Sequence, residues 1–504
     1  MFTLLLNFIY KVKILMRQAF LRLVIITVFL VLISACERSE RKFPNKTPEI
    51  KDTIFNSSVS QSKILEQKDL KIKLYIENSG SMFGYVNGRT QLKDMLQNLL
   101  VDLKYEYDEE NIEIYFINSK IYASPIKVEV VDFADKLSPY SIKIGQTGSS
   151  DLNDIFRQIT SETDENSISI LVSDFIYSIK GKETIQLLGQ QQALTKNVFL
   201  TADKKGQKLT TNVYQFHSDF NGKYYDYNDD STFLKGKRPY YLAIIGQQNS
   251  VNLFTNQIGP KFNKYKGYSN EYLLTAEDFD VTDYTVLTST LNYGRIKPVK
   301  GTNVSGQVRQ IELEESGRDG SKIQFAVAVN LNSLVITDDY ISTITNYELS
   351  NDVFSLLKIG KITGDDIVFA NGDKAPFSAS DLQHVKLNPT HVFVFQSSNK
   401  NIENLTFSLK RNIPQWIANS SLFDDTDLTT NESKQQKTFG LEYLINGISS
   451  AYLQATEKDS YFNITIPIQK PKPSSLAAKA IGFIFLALLI ALITRVILKR
   501  KTRK

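Results

Sequence analysis

The chain has 504 residues, of which 42% are hydrophobic and 22% charged, a balance that is typical of globular proteins and excludes wholesale disorder. Its formal net charge of +5 belongs to the two ends, since the first 35 and the last ten residues hold ten basic residues and no acidic one. The 49 basic and 54 acidic residues between them give no support to a nucleic-acid partner. A single cysteine, Cys36, excludes an intramolecular disulfide and a cysteine-based zinc or iron–sulfur site.

The N-terminal segment has the pattern of an export signal. Basic residues precede the apolar run Leu23–Leu32, and the small residues Ser34 and Ala35 come directly before Cys36. The segment resembles the lipobox of bacterial lipoproteins, and this resemblance implies that Cys36 becomes the lipidated first residue of the mature chain. A signal anchor with an incidental cysteine is the alternative. We predict a lipoprotein signal peptide over residues 1–35, translated from Met1 or Met16, and a polar tether over 36–70.

The C-terminal segment is apolar from Leu476 to Thr494, apart from Lys479, and six of the ten residues that follow are basic. A helix of about 20 residues spans a ~30 Å hydrocarbon core, and a basic tail stays on the cytoplasmic side. The pattern predicts a transmembrane helix over 475–498 and a cytoplasmic tail over 499–504, with a buried C-terminal helix as the alternative. Together with a lipid on Cys36, it predicts a bacterial inner-membrane protein whose main body lies on the periplasmic side.

Strand and helix patterns alternate between residues 71 and 270. Extended runs occur at 71–76, 112–117, 168–172, 197–201, 212–216 and 240–245, and helical spacing of apolar residues occurs at 92–103, 152–159, 185–194 and 251–258. The nearly all-apolar run at 168–172 is typical of the centre of a parallel sheet. We therefore predict an α/β domain with an open, mostly parallel sheet and helices on both faces.

Residues 271–472 lack strong helical patterns. Short extended runs separated by turn residues replace them, which predicts a β-rich domain with a sandwich-like arrangement. Whether these residues form one domain or two stays open. The polar stretch Asp424–Gln436 is interpreted as a solvated loop, with calcium binding by its acidic residues as the alternative.

Oxygen-bearing side chains follow the predicted strands of the α/β domain. Glu77, Ser79 and Ser81 follow the first strand, Ser150 opens the second helix, and Asp174 follows the run at 168–172. Because ligands gather at the carboxyl ends of strands in open sheets, these residues are expected to lie together. Two carboxylates and several hydroxyls suit a hard divalent cation. The alternative is that these residues only cap the helices that follow them.

The order and spacing of these residues resemble the metal-ion-dependent adhesion site of von Willebrand factor A-type (VWA) domains. That site has Asp-x-Ser-x-Ser in its first loop, a threonine in its second and an aspartate in its third. The match covers about Lys71–Ile258, with a longer linking segment at Asn221–Gly236, and Glu77 stands where the family has aspartate. Its extra methylene moves the carboxylate outward by ~1.5 Å. A magnesium site, a looser calcium site and the loss of metal binding all stay open.

The resemblance implies a binding module and no enzyme. A bound Mg²⁺ or Ca²⁺ would offer an open coordination position to an acidic side chain of another protein. The sequence has no Gly-x-Ser-x-Gly, His-Glu-x-x-His, P-loop or Gly-x-Gly-x-x-Gly motif. A metal-free scaffold of an envelope complex is the first alternative, and a metal-assisted hydrolase is the second.

Overall fold

The computed structural model describes residues 70–469, except 149, 180, 182, 277–278, 280, 315–321, 335, 383–387 and 398–403, together with residues 484–494. All of these residues belong to one compact unit. The predicted signal peptide, Cys36, nearly all of the predicted tether and the basic tail lie outside the described residues.

A seven-stranded sheet forms the first part of the fold. Its strands are β1 (Lys71–Glu77), β2 (Ile112–Ile117), β3 (Ile121–Ala123), β4 (Ser167–Ser173), β5 (Leu209–Tyr225), β6 (Ser231–Gln247) and β7 (Tyr268–Thr275), in the order β3-β2-β1-β4-β6-β5-β7. Only the β1–β2 and β1–β4 pairs are parallel, and the other four pairs are antiparallel. The predicted mostly parallel sheet is therefore wrong, and the sheet is mixed. A strand buried on both faces is apolar whichever way it runs, so its composition does not reveal its direction.

Helices cover both faces of this sheet. They are α1 (Gln91–Glu106), α2 (Leu152–Glu162), α3 (Thr184–Lys204), α4 (Gln248–Gln257) and the short α5 (Gly259–Phe262). Side chains of α1 and α4 share a core with Ile72, Leu74 and Ile76 of β1, whereas those of α2 and α3 share a core with Tyr75. Alternate residues of a strand point to opposite faces, so β1 lies between the two helix layers.

Residues 197–201, which the sequence predicts to be extended, lie inside α3. Asn-Val-Phe-Leu-Thr has the composition of a strand, but Val198, Phe199 and Ala202 are buried together on one face of the helix. The burial of that face decides the conformation, because tertiary packing overrides a weak local preference.

The predicted linking segment Asn221–Gly236 is the far end of a long hairpin. Strands β5 and β6 pair continuously from Leu209–Gln247 to Tyr225–Ser231. The hairpin lies along a short helical turn, Gly80–Tyr85, where the Phe220 and Tyr85 rings meet edge to face at 5.0 Å. Gly222 lies so near Gly84 that an added Cβ would be 2.7 Å from the Gly84 Cα. The hairpin therefore packs directly on the loop that follows β1.

Two further sheets form the second part of the fold. The five-stranded sheet contains β9 (Arg295–Pro298), β10 (Ile311–Glu314), β12 (Tyr347–Leu349), β17 (Asn404–Lys410) and β20 (Ser460–Gln469), in the order β12-β17-β20-β10-β9. The six-stranded sheet contains β8 (Tyr284–Leu287), β11 (Ile323–Val329), β13 (Phe354–Thr363), β14 (Asp366–Phe369), β15 (Lys374–Pro376) and β16 (His391–Ser397), in the order β15-β14-β13-β16-β11-β8. Apolar side chains of both sheets share one core, so they pack face to face.

The remaining helices and strands are short, apart from one helix of 16 residues. They are the short helices α6 (Asp338–Ser342), α7 (Ala379–Leu382), α8 (Gln415–Asn419) and α9 (Glu432–Gln435), the strand pair β18 (Ser421–Leu422) and β19 (Thr438–Phe439), and the helix α10 (Leu441–Thr456). Helix α10 packs on α3, where a Cβ on Gly447 would lie 2.8 Å from the Gln192 carbonyl oxygen. The chain thus returns to the first part of the fold before β20 completes the second.

Residues 484–494 form a helix whose apolar side chains are exposed, among them Phe485 at 72%. Within the parts of the chain that the structure describes, no helix is both long enough and apolar enough to cross a membrane. The predicted transmembrane helix over 475–498 is therefore not supported. Its residues 475–483 and 495–498 lie outside the described part of the chain.

Candidate functional site

The candidate site lies at the carboxyl ends of two neighbouring parallel strands. Strands β1 and β4 pair in register from Lys71–Ser167 to Ile76–Val172. The last residues of the two strands, Glu77 and Ser173, therefore lie side by side, and Asp174 follows Ser173. Strand β6, the other neighbour of β4, runs antiparallel to it, so the strand direction changes beside the candidate site.

Glu77 is the centre of a hydrogen-bond network. Its side chain is 1% exposed, and its Oε1 accepts hydrogen bonds from the hydroxyls of Ser79, at 2.7 Å, and Ser150. Its Oε2 accepts a hydrogen bond from the Ser173 hydroxyl. The Ser81 hydroxyl lies 3.0 Å from the Ser79 hydroxyl. Four of the five predicted ligands are therefore joined by hydrogen bonds.

Ser79 and Ser150 do not act as helix caps. Ser79 precedes the turn Gly80–Tyr85 and makes no side-chain capping bond, while Asp151 caps α2 by accepting from the N–H groups of Asn153 and Asp154. The hydroxyls of Ser79 and Ser150 point to Glu77 instead. The capping alternative therefore does not describe these two serines.

Asp174 is the fifth predicted ligand, and one of its oxygens lacks a partner. Its side chain is 2% exposed, and Oδ1 accepts from the Ile176 N–H at 3.3 Å. Oδ2 is buried and has no hydrogen-bond partner among the described residues. Burial, and after it the nearby charge of Glu77, raise the pKa of Asp174 from 3.8 to about 7, although the Ser81 hydroxyl, the Ile176 N–H and Arg238 lower it. A carboxylate in this position is short of positive charge.

The turn that presents Asp174 has a strained backbone. Phe175, the next residue, has a φ of 55°, in the left-handed region that non-glycine residues seldom occupy. Its ring stacks on Tyr241 of β6 at 5.0 Å, and its N–H donates to the Ser173 hydroxyl at 2.9 Å. Such strain costs on the order of 1 kcal/mol and persists where the surroundings hold it, often at functional sites.

The donor set fits a hard divalent cation. Two carboxylates and the hydroxyls of Ser79, Ser81 and Ser150 converge, and the unpartnered Asp174 Oδ2 lacks the positive partner that a cation would supply. Among the described residues no group of three or more His, Cys, Asp or Glu side chains could hold a metal ion. A cation here would therefore depend on two carboxylates and on hydroxyl oxygens.

Access to these groups is restricted. Glu77, Ser79, Ser150 and Asp174 are buried, and Ser81 is the half-buried member of the set. The Tyr225 ring, near the end of the hairpin, lies where a Cβ on Gly80 would be 3.2 Å from its Cε2 atom. The hairpin thus lies beside the first loop of the site.

The polar stretch Asp424–Gln436 is not a simple solvated loop. Asp425 is buried and accepts hydrogen bonds from the Tyr224 hydroxyl and, at 3.1 Å, from the Tyr227 N–H. Both donors belong to the far end of the hairpin. Through these two hydrogen bonds, Asp425 connects a segment from late in the chain to the hairpin beside the candidate site.

Sequence reasoning missed three residues around the site. Ser173 closes an apolar strand, and a polar residue at that point could have drawn attention to it. Successive residues of β6 point to opposite faces of the sheet, and Lys235 and Lys237 are exposed. Arg238 therefore points inward, on the same face as the buried Leu234. Asp425 carries no comparable signal, because nothing in a run of acidic and polar residues shows which one is buried.

Comparison with known protein families and curated proteins identifies no relative of this chain. No family model matches the chain, and no curated protein matches its sequence.

Proposed function

We propose that the chain binds a partner protein through a divalent cation held where β1 and β4 end. The unpartnered Oδ2 of buried Asp174, beside the Glu77 carboxylate, is the observation that carries this proposal. Two neighbouring carboxylates are compatible with burial when a cation neutralises them. The resemblance to the VWA adhesion site supports the same conclusion.

The five residues would have different roles in holding the cation. Asp174 would supply a direct carboxylate ligand, and the hydroxyls of Ser79, Ser81 and Ser150 would supply neutral oxygens. Glu77 holds the hydroxyls of Ser79 and Ser150 and adds negative charge. When bound, Mg²⁺ or Ca²⁺ would act as the electrostatic link to an acidic side chain of the partner.

A metal-free scaffold is the second candidate, and burial favours it. Four of the five ligands are buried, and Arg238 already places a positive charge near Asp174. In that case the cluster would be structural, and the hairpin and the two-sheet part of the fold would carry the contacts with other proteins.

The proposed location depends on the N-terminal segment alone. Export and lipidation at Cys36 stay predictions, because residues 1–69 lie outside the described part of the chain. With such an anchor, the partner would be a protein outside the cytoplasm, close to a membrane surface.

Retention of a partner by the immobilised full chain tests the proposal. We expect a protein from an extract of the source cells to bind in magnesium, to be released by EDTA, and not to bind the Asp174→Ala variant. Asp154→Ala, which removes an exposed carboxylate paired with Arg157, is the matched control and should retain the partner. Retention that EDTA does not change would contradict the proposal and favour the metal-free scaffold.

A further inference from the structure

Arg238 is a buried arginine that the proposed function leaves without a role. It lies on β6 opposite Ser218 of β5, and it is 1% exposed. Its Nη1 donates to the carbonyls of Gln435, at 3.2 Å, and Lys437, at 3.1 Å, and its Cζ lies 4.6 Å from the centre of the Tyr224 ring. Nε and Nη2 have no hydrogen-bond partner within the described part of the chain.

The charge of Arg238 is incompletely compensated. A buried guanidinium is stable when a carboxylate pairs with it, and among the described residues Arg238 makes no ion pair. Ser173, the last residue of β4, pairs with Tyr241 of β6, so Arg238 lies on the part of β6 that continues past the end of β4, where Asp174 follows. The Tyr224 ring that Arg238 contacts donates its hydroxyl to the buried Asp425. The positive charge of Arg238 accordingly lowers the pKa of Asp174 and of Asp425, which burial raises. Arg238 thus lies in the electrostatic field of the candidate site without occupying it.

We infer that Arg238 is the resident positive charge of the candidate site and that it limits the affinity of that site for a divalent cation. The inference depends on the proposed function. A cation bound at Asp174 would be repelled by a fixed guanidinium, and water does little to screen that repulsion in a buried site. Because two carbonyls and the Tyr224 ring hold the side chain, moving it away would break these contacts.

Magnesium titration of full-chain variants tests this inference. Arg238→Gln and Arg238→Met remove the charge in two different shapes, and each is expected to bind magnesium about tenfold more tightly than the unchanged chain. Arg238→Lys keeps the charge and should bind as the unchanged chain does. Arg238→Met keeps an apolar side chain packed against Tyr224, so this variant tests the effect of charge removal if the glutamine variant does not fold.

Arg411→Gln is the matched control. Arg411 is also buried, donates to the Ser460 carbonyl at 3.1 Å, and lies 4.6 Å from the centre of the Tyr461 ring. It also donates to the carbonyl of Thr275, at the end of β7. None of these partners belongs to the loops that follow β1 and β4, so replacement of Arg411 should leave magnesium affinity unchanged. Circular dichroism and thermal unfolding of every variant establish that the fold is intact.

Each outcome has one meaning. Tighter binding by the uncharged Arg238 variants alone supports the inference, even if the unchanged chain binds too weakly to detect. Binding by the unchanged chain with equal or weaker binding by folded Arg238→Gln and Arg238→Met overturns the inference and leaves the proposed function standing. No binding by any of these proteins overturns both.

Discussion

Replacing Asp174 with asparagine is expected to stabilise the chain at pH 8 in the presence of EDTA, by on the order of 2–4 kcal/mol. Burial and the charge of Glu77 raise the pKa of Asp174 from 3.8 to about 7 in the folded state. Between those two values the folded state binds more protons than the unfolded state, so this group makes stability fall as pH rises. Asparagine removes the penalty without changing the shape of the side chain.

Urea unfolding from pH 4 to pH 8 measures this effect. The difference in free energy of unfolding between Asp174→Asn and the unchanged chain should be absent near pH 4. It should increase between pH 4 and pH 7 and then level off. Asp154→Asn, at an exposed carboxylate, should show no such dependence. An asparagine variant that is no more stable than the unchanged chain at pH 8 would show that the buried carboxylate is already compensated without a cation.

Glu77→Ala is expected to destabilise the chain by about 3 kcal/mol or more, because it leaves three buried hydroxyls without an acceptor. Ser79, Ser150 and Ser173 all donate to this carboxylate, and each is buried. The loss of a charge that repels Asp174 offsets part of that cost. Thermal and urea unfolding at neutral pH in EDTA provide the measurement.

Glu77→Gln is the comparison that separates hydrogen bonding from charge. Its carbonyl oxygen can still accept from Ser79 and Ser150, and its amide can donate to the Ser173 hydroxyl. We expect it to lose less than half of what the alanine variant loses. Equal losses in the two variants would mean that the charge of Glu77, and not the bonds it accepts, holds the three loops together.

The elements of the first sheet were predictable where one physical pattern dominates. An apolar run predicts a strand at 71–76, and apolar residues at helical spacing predict a helix over 92–103; the structure has β1 at Lys71–Glu77 and α1 at Gln91–Glu106. The direction of β6 was not predictable, since its central run, 240–245, is buried on both faces in either direction. The hairpin end at 221–236 was also missed, because its pairing depends on the sheet that it extends.

The five predicted site residues lie together because chain direction and sheet position bring loops of parallel strands to one edge. That geometry follows from sequence for Glu77, the last residue of β1, and for Asp174, which comes directly after β4. Arg238 and Asp425 could not be placed in the same way. Arg238 comes from an antiparallel strand, and Asp425 contacts Tyr224 of the hairpin, which lies 201 residues earlier in the chain, so only the folded structure shows these approaches.

Calorimetric titration of magnesium, then calcium and manganese, into the full chain tests the central claim most directly, beside Asp174→Ala and Asp154→Ala. Divalent binding in the ~micromolar to millimolar range is predicted for the unchanged chain and for Asp154→Ala, and it should be lost in Asp174→Ala. Absence of binding of all three cations to the unchanged chain, or equal binding to the Asp174→Ala variant, would contradict a cation site at the ends of β1 and β4.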